Sequence, residues 1–382
     1  MNTRVAEADR AAAAGDIARA IALLEQAGET EAADDPQLWL KLAALRRASG
    51  QPAKALDAVH RALALAEFDF VALVMRATLL EKLAPAQSGE AWAHALAQRP
   101  STPVPAQMAD VLVRGEAARD AWIGEREARL DRATAGTLAA ASDDEAARIA
   151  RFRSNVLRKT RVYHSEPTHY AFPGLVEREF HPREQHPWLA EVEAATDAIA
   201  EELDAVMASE RAELVPYIQY QQHEAMAQWR SLNQNRDWTA IHLIRNGQTI
   251  DANARHCPRT IALLARLPQP EIGGAGPNAM FSLLAPNTLI PPHVGINNAR
   301  LVCHLPLIVP EGCWFRVGAE TREWRQGEAF LFDDTIEHEA SNPTDQLRIV
   351  FIFDVWHPGL TPTERDAVRQ VIVSEGGVDN AL

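Results

Sequence analysis

The feature of this sequence that most constrains its fold is a series of short apolar segments that fills its second half. Eight such segments follow residue 214, among them WTAIHLI, RLVCHLPLIV and LRIVFIFDVW, and Gly, Pro or Asn residues separate them. Apolar side chains recur in them with a period of two, which is the period of a β-strand. Short, evenly spaced strands with turn residues between them indicate a β-sandwich or a jelly roll.

The first part of the chain has a different composition. Residues 1 to about 160 are rich in Ala, Leu, Arg and Glu and show helical periodicity. The segments GDIARAIALL (15–24) and GQPAKALDAV (50–59) align 35 residues apart, and a weaker third copy runs from Val71 to Leu96. A period of about 34 residues is typical of tetratricopeptide repeats, which often bind a peptide or a partner protein on their concave face. The alternative interpretation is an Ala-rich helical bundle.

These patterns predict an α+β protein with three regions. We expect tetratricopeptide-like helical repeats over residues 1–120, a helical connection over 121–160, and a double-stranded β-helix (jelly-roll or cupin-like) domain over 161–382. In the third region, WLAEVEAATDAIAEELDAVM (188–207) is predicted to form one amphipathic helix that packs on a core.

Charge and cysteine content exclude several classes of protein. The 382 residues carry a formal net charge of −14, which argues against a nucleic-acid-binding surface. Three cysteines without a CxxC motif suit a reducing compartment. The N-terminal sequence shows no apolar segment of a secretory signal, and IVFIFDVW is too short to span a bilayer. We therefore expect a cytoplasmic protein that binds neither nucleic acid nor membrane.

Three polar residues stand out among the apolar strands. His293 follows two prolines and is predicted to enter a strand, and His338 is predicted to leave another at an acidic turn. Arg348 lies ten residues later in LRIVFIFDV, flanked by apolar positions. A buried arginine is costly unless it meets an anion, and a carboxylate is the natural partner of its planar guanidinium. Taken singly, either histidine could be structural and Arg348 could close a salt bridge.

Together the three residues have the layout of the 2-oxoglutarate-dependent iron oxygenases, in which two imidazoles and a carboxylate hold Fe(II). A zinc hydrolase would need a third protein ligand, and the sequence contains no HExxH motif. A different class remains open, a helical-repeat adaptor whose barrel has lost activity.

Longer motifs resemble one family, the aspartyl/asparaginyl β-hydroxylases. The resemblance covers roughly residues 163 to 373, and it is carried by the following segments: AMFSLLAPNTLIPPHVG (279–295), RLVCHLPLIVPEGCWFRVGAETREWRQGEAFLFDDTIEHEA (300–340) and RIVFIFDVWHP (348–358). It implies hydroxylation of an Asp- or Asn-type residue in a peptide or protein. Fe(II), O2 and 2-oxoglutarate would take part, and 2-oxoglutarate would be decarboxylated to succinate. A free amino acid or another small acid is the alternative substrate.

The resemblance also implies roles for individual residues. His293 and His338 would bind Fe(II), and Gly295 matches the glycine that this family has in place of a third ligand, so that water would fill that position. Arg348 and Ser282 would hold the distal carboxylate of 2-oxoglutarate, and His304 its metal-side carboxylate.

Two positions depart from the family pattern. Val302 stands where an arginine is expected two residues before the strand histidine, and Asn233 stands where animal members have an arginine ahead of the DW motif. The identity of the substrate is therefore not carried over. Trp238 is a candidate for the substrate cleft, although a buried tryptophan in a strand is more often part of the core.

Overall fold

The computed structural model describes residues 3–30, 32–209, 214–219 and 232–376. The chain divides into two compact units, Met1–Leu157 and Arg158–Leu382. Within the described ranges, no helix combines the length and the apolar character needed to cross a membrane.

The first unit consists of antiparallel helix pairs. Its helices are α1 (Thr3–Ala13), α2 (Ile17–Glu29), α3 (Pro36–Ala48), α4 (Pro52–Leu65), α5 (Phe70–Leu83), α6 (Pro85–Ala97), α7 (Ala109–Leu138) and α8 (Asp143–Val156). Asp35 and Asp69 cap α3 and α5, and each accepts a hydrogen bond from a main-chain amide of the first turn. Gly15 and Gly50 occupy the left-handed region in the turns that join α1 to α2 and α3 to α4. The predicted tetratricopeptide-like region is confirmed.

The predicted boundary at residue 120 falls inside α7, which runs from Ala109 to Leu138. This helix contains no proline, and its Gly115 lets Trp92 of α6 pack against it, since a Cβ there would lie 2.3 Å from the indole. The first half of the predicted helical connection is therefore a continuation of the helix that packs on α6.

The second unit contains two antiparallel sheets. Their strands are β1 (Leu214–Pro216), β2 (Trp238–Arg245), β3 (Gln248–Thr249), β4 (Ala279–Leu284), β5 (Thr288–His293), β6 (Arg300–Ile308), β7 (Trp314–Val317), β8 (Glu320–Glu323), β9 (Phe330–Phe332), β10 (His338–Asn342) and β11 (Arg348–Trp356). The larger sheet has the order β1-β2-β4-β11-β6-β9, with β3 beside β2, and the smaller has the order β5-β10-β7-β8.

Helices cover one face of the larger sheet. They are α9 (Leu189–Ala194), α10 (Thr196–Met207), α11 (Asp251–Ala254) and α12 (Pro258–Leu264), whereas α13 (Pro362–Ser374) packs in a separate cluster with Trp356 at the end of β11. The predicted single helix over 188–207 is two helices, because the chain turns at Ala195. The predicted apolar stripe nevertheless enters the core between the helices and this face, together with Phe351 and Leu305.

The opposite face of the larger sheet packs on the smaller sheet. One core cluster joins Val302 and Ile352 of the larger sheet to Phe315 and Ala340 of the smaller one. The predicted alternation along β6 and β11 is confirmed, because Cys303 and Phe353 point to the helices while Val302 and Ile352 point to the other sheet. The α+β class, with helices followed by antiparallel sheets, is therefore correct.

Candidate active site

The two predicted metal ligands face each other across neighbouring strands. His293 is the last residue of β5 and His338 is the first of β10, and the two are directly paired in the antiparallel register. Their ring centres are 3.9 Å apart. The prediction that His293 enters a strand and His338 leaves one was wrong, because the double proline lies inside β5. An edge strand with a bulge tolerates prolines.

A bulge directs His293 toward its partner. The pairing shifts between His338 and Ala340, which oppose His293 and Ile290 respectively, so the prolines lie in the irregular part of the ladder. Bulges of this kind change the direction of a side chain and are common beside active sites. The local sequence PPH therefore determines where the imidazole points.

Both imidazoles are held through their Nδ1 atoms. Nδ1 of His293 lies 2.7 Å from the carbonyl oxygen of Pro291, and Nδ1 of His338 lies 3.1 Å from that of Ile336. Because a carbonyl oxygen can only accept, we assign the proton to Nδ1 in each ring, which places the lone pair on Nε2. Burial lowers the pKa of His338 to about 4 and that of His293 well below its ordinary value. Both rings are therefore neutral at pH 7, which is the form that binds a metal.

Gly295 leaves space that the carboxylate of Asp334 fills. A Cβ at position 295 would lie 2.2 Å from Oδ2 and 2.8 Å from Oδ1 of Asp334. The amide of Gly295 also donates a 2.7 Å hydrogen bond to the carbonyl oxygen of Asp334. Because the carboxylate of Asp334 occupies the space where a side chain at position 295 would begin, position 295 cannot carry a metal-binding side chain.

Arg348, the first residue of β11, is a buried cation. Its side chain is 1% exposed, and its Nε and Nη1 atoms have no hydrogen-bond partner among the described residues. The guanidinium carbon lies 4.8 Å from the ring centre of Trp324. Burial lowers the pKa of Arg348 to about 10, so the group stays charged at pH 7. A charged guanidinium with available N–H groups in a buried position is suited to bind an anion.

Two predicted residues lie near this guanidinium on the same sheet. Ser282 is paired with Val350, and its Oγ accepts a 3.0 Å hydrogen bond from the indole nitrogen of Trp238. The serine hydroxyl can therefore donate its own proton to another acceptor. The positive charge of Arg348 acts with burial to lower the pKa of His304 well below its ordinary value, and Nδ1 of His304 has no partner among the described residues.

Three buried charges lie toward the other end of β6 and β11. Arg300 donates from Nη2 to Oδ2 of Asp334 at 2.9 Å and from Nη1 to Oδ1 of Asp354 at 3.1 Å. Asp354 also accepts two hydrogen bonds from Asn278, through its amide at 2.9 Å and its side chain at 3.0 Å. Burial would lower the pKa of Arg300, but the two carboxylates raise it above its ordinary value.

The structure places the predicted site residues around one cavity. Its lining includes Trp238, Ser282, His293, Gly295, Val302, His304, His338 and Arg348. Asn233 is not among the lining residues; it forms an isolated bridge with Ile218. In the part of the chain that the structure describes, no group of three or more His, Cys, Asp or Glu side chains is arranged to hold a metal. The described donor set is therefore the histidine pair alone.

Sequence reasoning missed Trp324 and the cluster of Arg300, Asp334 and Asp354. One signal was available, since Asp354 is the single charge in the apolar segment IVFIFDVW and Arg300 lies two residues before Val302 on the same face. An isolated charge on a buried strand implies a partner of opposite sign.

Comparison with known proteins finds a similarity within the second unit. Residues 193–358 match the family model for aspartyl/asparaginyl β-hydroxylase. The chain is 35% identical over 142 residues to human aspartyl/asparaginyl β-hydroxylase, a match that covers 37% of this chain and 19% of that protein. It is 38% identical over 135 residues to human aspartate β-hydroxylase domain-containing protein 2, covering 35% of this chain and 37% of that protein.

A bacterial relative matches over a longer segment. The ornithine lipid ester-linked acyl 2-hydroxylase of Rhizobium tropici is 33% identical over 179 residues, which are 46% of this chain and 59% of that protein. The chain thus spans less than two thirds of the length of each of these three relatives. Among solved structures, the Sgt2 tetratricopeptide domain of Aspergillus fumigatus is 23% identical to this chain. The match covers 31% of this chain and 75% of the Sgt2 chain, with a TM-score of only 0.26. Residues 193–358 of the chain are thus similar to the aspartyl/asparaginyl β-hydroxylase family.

Proposed function

We propose that the second unit is an Fe(II)- and 2-oxoglutarate-dependent hydroxylase that acts on an Asp- or Asn-type residue of a peptide or protein. The observation that carries this proposal is the pairing of His293 with His338 in a cavity that also contains the buried cation Arg348. The match of residues 193–358 to the family model supports the hydroxylase class.

The donor set fits iron better than zinc. Protein sites for zinc use three or four protein ligands, whereas two neutral imidazoles leave most coordination positions open for a co-substrate and oxygen. Gly295 supplies no ligand, and we propose that water takes the third position. Bound Fe(II) and 2-oxoglutarate supply the oxidation, in which one atom of O2 enters a substrate C–H bond and the other enters succinate as carbon dioxide leaves.

The chain itself binds and orients the reactants. Arg348 offers Nε and Nη1 to the distal carboxylate of 2-oxoglutarate, and Ser282 donates its hydroxyl proton to the same group. His304 meets the carboxylate near the metal. Trp238 acts as a positioning residue. Its indole N–H donates to the Oγ of Ser282, so the hydroxyl proton of Ser282 points away from Trp238 and toward the co-substrate's carboxylate.

The test is formation of succinate from 2-oxoglutarate by the full chain under air. We expect it to require Fe(II) and to fall at least about a hundredfold in His293→Ala and in His338→Ala, because each removes one of two metal ligands. His164→Ala is the matched control, since His164 is exposed and pairs with Glu177 outside the cavity. Unchanged succinate formation in both ligand variants would refute the proposal.

Mass spectrometry of candidate substrates then identifies the class. A gain of about 16 Da in peptides supports the peptide or protein substrate, and the same gain in free amino acids or other small acids supports the alternative. Partner binding through residues 1–120 without any turnover would instead support an adaptor. Binding of a partner protein by the helical repeats and a cytoplasmic location remain our predictions.

A further inference from the structure

The active-site cavity has two ends with different charge. Arg348 begins β11 and Asp354 lies six residues further along the same strand, about 20 Å away at the usual rise. The Arg348 end carries a cation that the described residues leave without a hydrogen-bonded anion. The Asp354 end contains both carboxylates that pair with Arg300. Because the co-substrate's carboxylate is assigned to Arg348, the substrate must be recognised by other groups.

The charge of Arg300 is already satisfied within the chain. Both of its Nη atoms donate to carboxylates, and the side chains of Arg300, Asp334 and Asp354 are only 8%, 8% and 6% exposed. One guanidinium between two carboxylates leaves no positive charge for a third. Oδ1 of Asp334 is buried and has no partner among the described residues, so this end presents a hydrogen-bond acceptor.

Besides Arg300, position 302 is the second position from which a cation could contact the substrate, but this chain has the uncharged Val302 there. It pairs with Asp354 on one side and Phe332 on the other, lines the cavity, and is 7% exposed. The family resemblance predicts an arginine there. A substrate carboxylate beside Val302 would lose its hydration without gaining a counter-charge, and it would lie near two like charges. Arg245, the remaining cation in the described lining, is the half-buried last residue of β2, and its main chain pairs with Gln248 of β3.

We propose that the substrate group that reaches the metal is uncharged, and that a carboxamide, as in asparagine, suits it best. Val302 and the saturated Arg300 exclude a carboxylate, and the amide N–H of a carboxamide can donate to Oδ1 of Asp334. The inference rests on the proposed hydroxylase function and selects the asparagine-type substrate within it. A site that leaves a buried acceptor without a donor rejects the wrong ligand, so the discrimination has a physical cause.

The test uses the full chain with Fe(II), 2-oxoglutarate and three peptide pools that differ only in a fixed central residue, which is Asn, Leu or Asp. The measurement is the fraction of each pool that gains about 16 Da. We expect the Asn pool to be modified at least about tenfold more than the Asp pool, with the Leu pool between them. In Val302→Arg we expect the ratio of Asn to Asp modification to fall by about tenfold or more, because a cation is restored beside the substrate.

Several controls keep the outcomes distinct. Val371→Arg adds the same charge at an exposed position of α13, outside the cavity lining, so its Asn-to-Asp ratio should stay at the wild-type value. The comparison of pools with the wild-type protein does not depend on whether Val302→Arg folds. The inference would be overturned if the Asp pool were modified as much as the Asn pool or more, or if neither the Asn pool nor the Leu pool were modified. Succinate formation in the absence of peptide, abolished in His293→Ala, reports separately on the proposed function.

Discussion

Replacing Arg348 by methionine should make the protein more stable when no 2-oxoglutarate is bound. Burial lowers the pKa of Arg348 to about 10, a fall of about two and a half units from its ordinary value. At about 1.4 kcal/mol per unit, keeping the charge costs about 3 kcal/mol. This cost is present at every pH below about 10 and is relieved only as the pH rises above that value. Methionine has no charge to bury.

The contact with Trp324 opposes this gain. The guanidinium carbon lies 4.8 Å from the indole ring centre, and a cation–π contact of this kind contributes about 1 kcal/mol. The net effect of Arg348→Met is therefore an increase of about 2 kcal/mol in the free energy of unfolding. The same change should abolish stabilisation by added 2-oxoglutarate, because the carboxylate loses its cation.

Urea unfolding monitored by hydrogen exchange in peptides from β4, β6 and β11 would measure the stability of the second unit alone. Arg316→Met is the matched control, because Arg316 is paired with Glu337 and Glu339 and its removal should destabilise the protein. The reasoning is refuted if Arg348→Met lowers the free energy of unfolding by more than about 1 kcal/mol, or if 2-oxoglutarate stabilises it as it does the wild type.

Three further changes have expected outcomes. Gly295→Ala should lower the free energy of unfolding by about 3 kcal/mol in urea titrations, because its Cβ would lie 2.2 Å from Oδ2 of Asp334 and would displace the ion pair of Asp334 with Arg300. Gly136→Ala is the control: no heavy atom lies within 4 Å of its Cβ, so it should raise the free energy of unfolding by about 1 kcal/mol. Trp324→Leu should weaken 2-oxoglutarate binding by about tenfold in calorimetry, and Trp324→Phe should restore most of it. Burial lowers the pKa of His181 to about 3, so only the unfolded chain takes up a proton on this residue as the pH falls below about 6.5, and the wild-type protein loses stability. His181→Phe should reduce the loss of stability between pH 7 and pH 5 by about 2 kcal/mol.

The sequence was sufficient to predict elements whose pattern is local. The period of two along β6 and β11 identified the faces of Val302 and Ile352, because each strand carries its own alternation. The helical repeat was visible for the same reason. The two histidines and Arg348 were recognised by their spacing and by a motif, and the structure places them around one cavity.

The errors arose where the register between strands decides the structure. Pro291 and Pro292 looked like residues that precede a strand, and only the pairing of β5 with β10 shows that they lie within a bulge. The contact between Arg300 and Asp354 joins residues that are 54 positions apart, and the contact of Arg348 with Trp324 depends on how the two sheets pack. The isolated charge of Asp354 implies a partner of opposite sign, but a single sequence does not show which distant residue supplies it.

The position of β5 at the edge of the smaller sheet has a consequence for aggregation. Among the described strands, β5 pairs with β10 alone, so its other side is an unpaired strand edge. An edge of this kind can add a strand from another molecule. Pro291 and Pro292 lack the N–H donors that such an addition requires. The residues that direct His293 therefore also protect the strand beside it from pairing with a second chain.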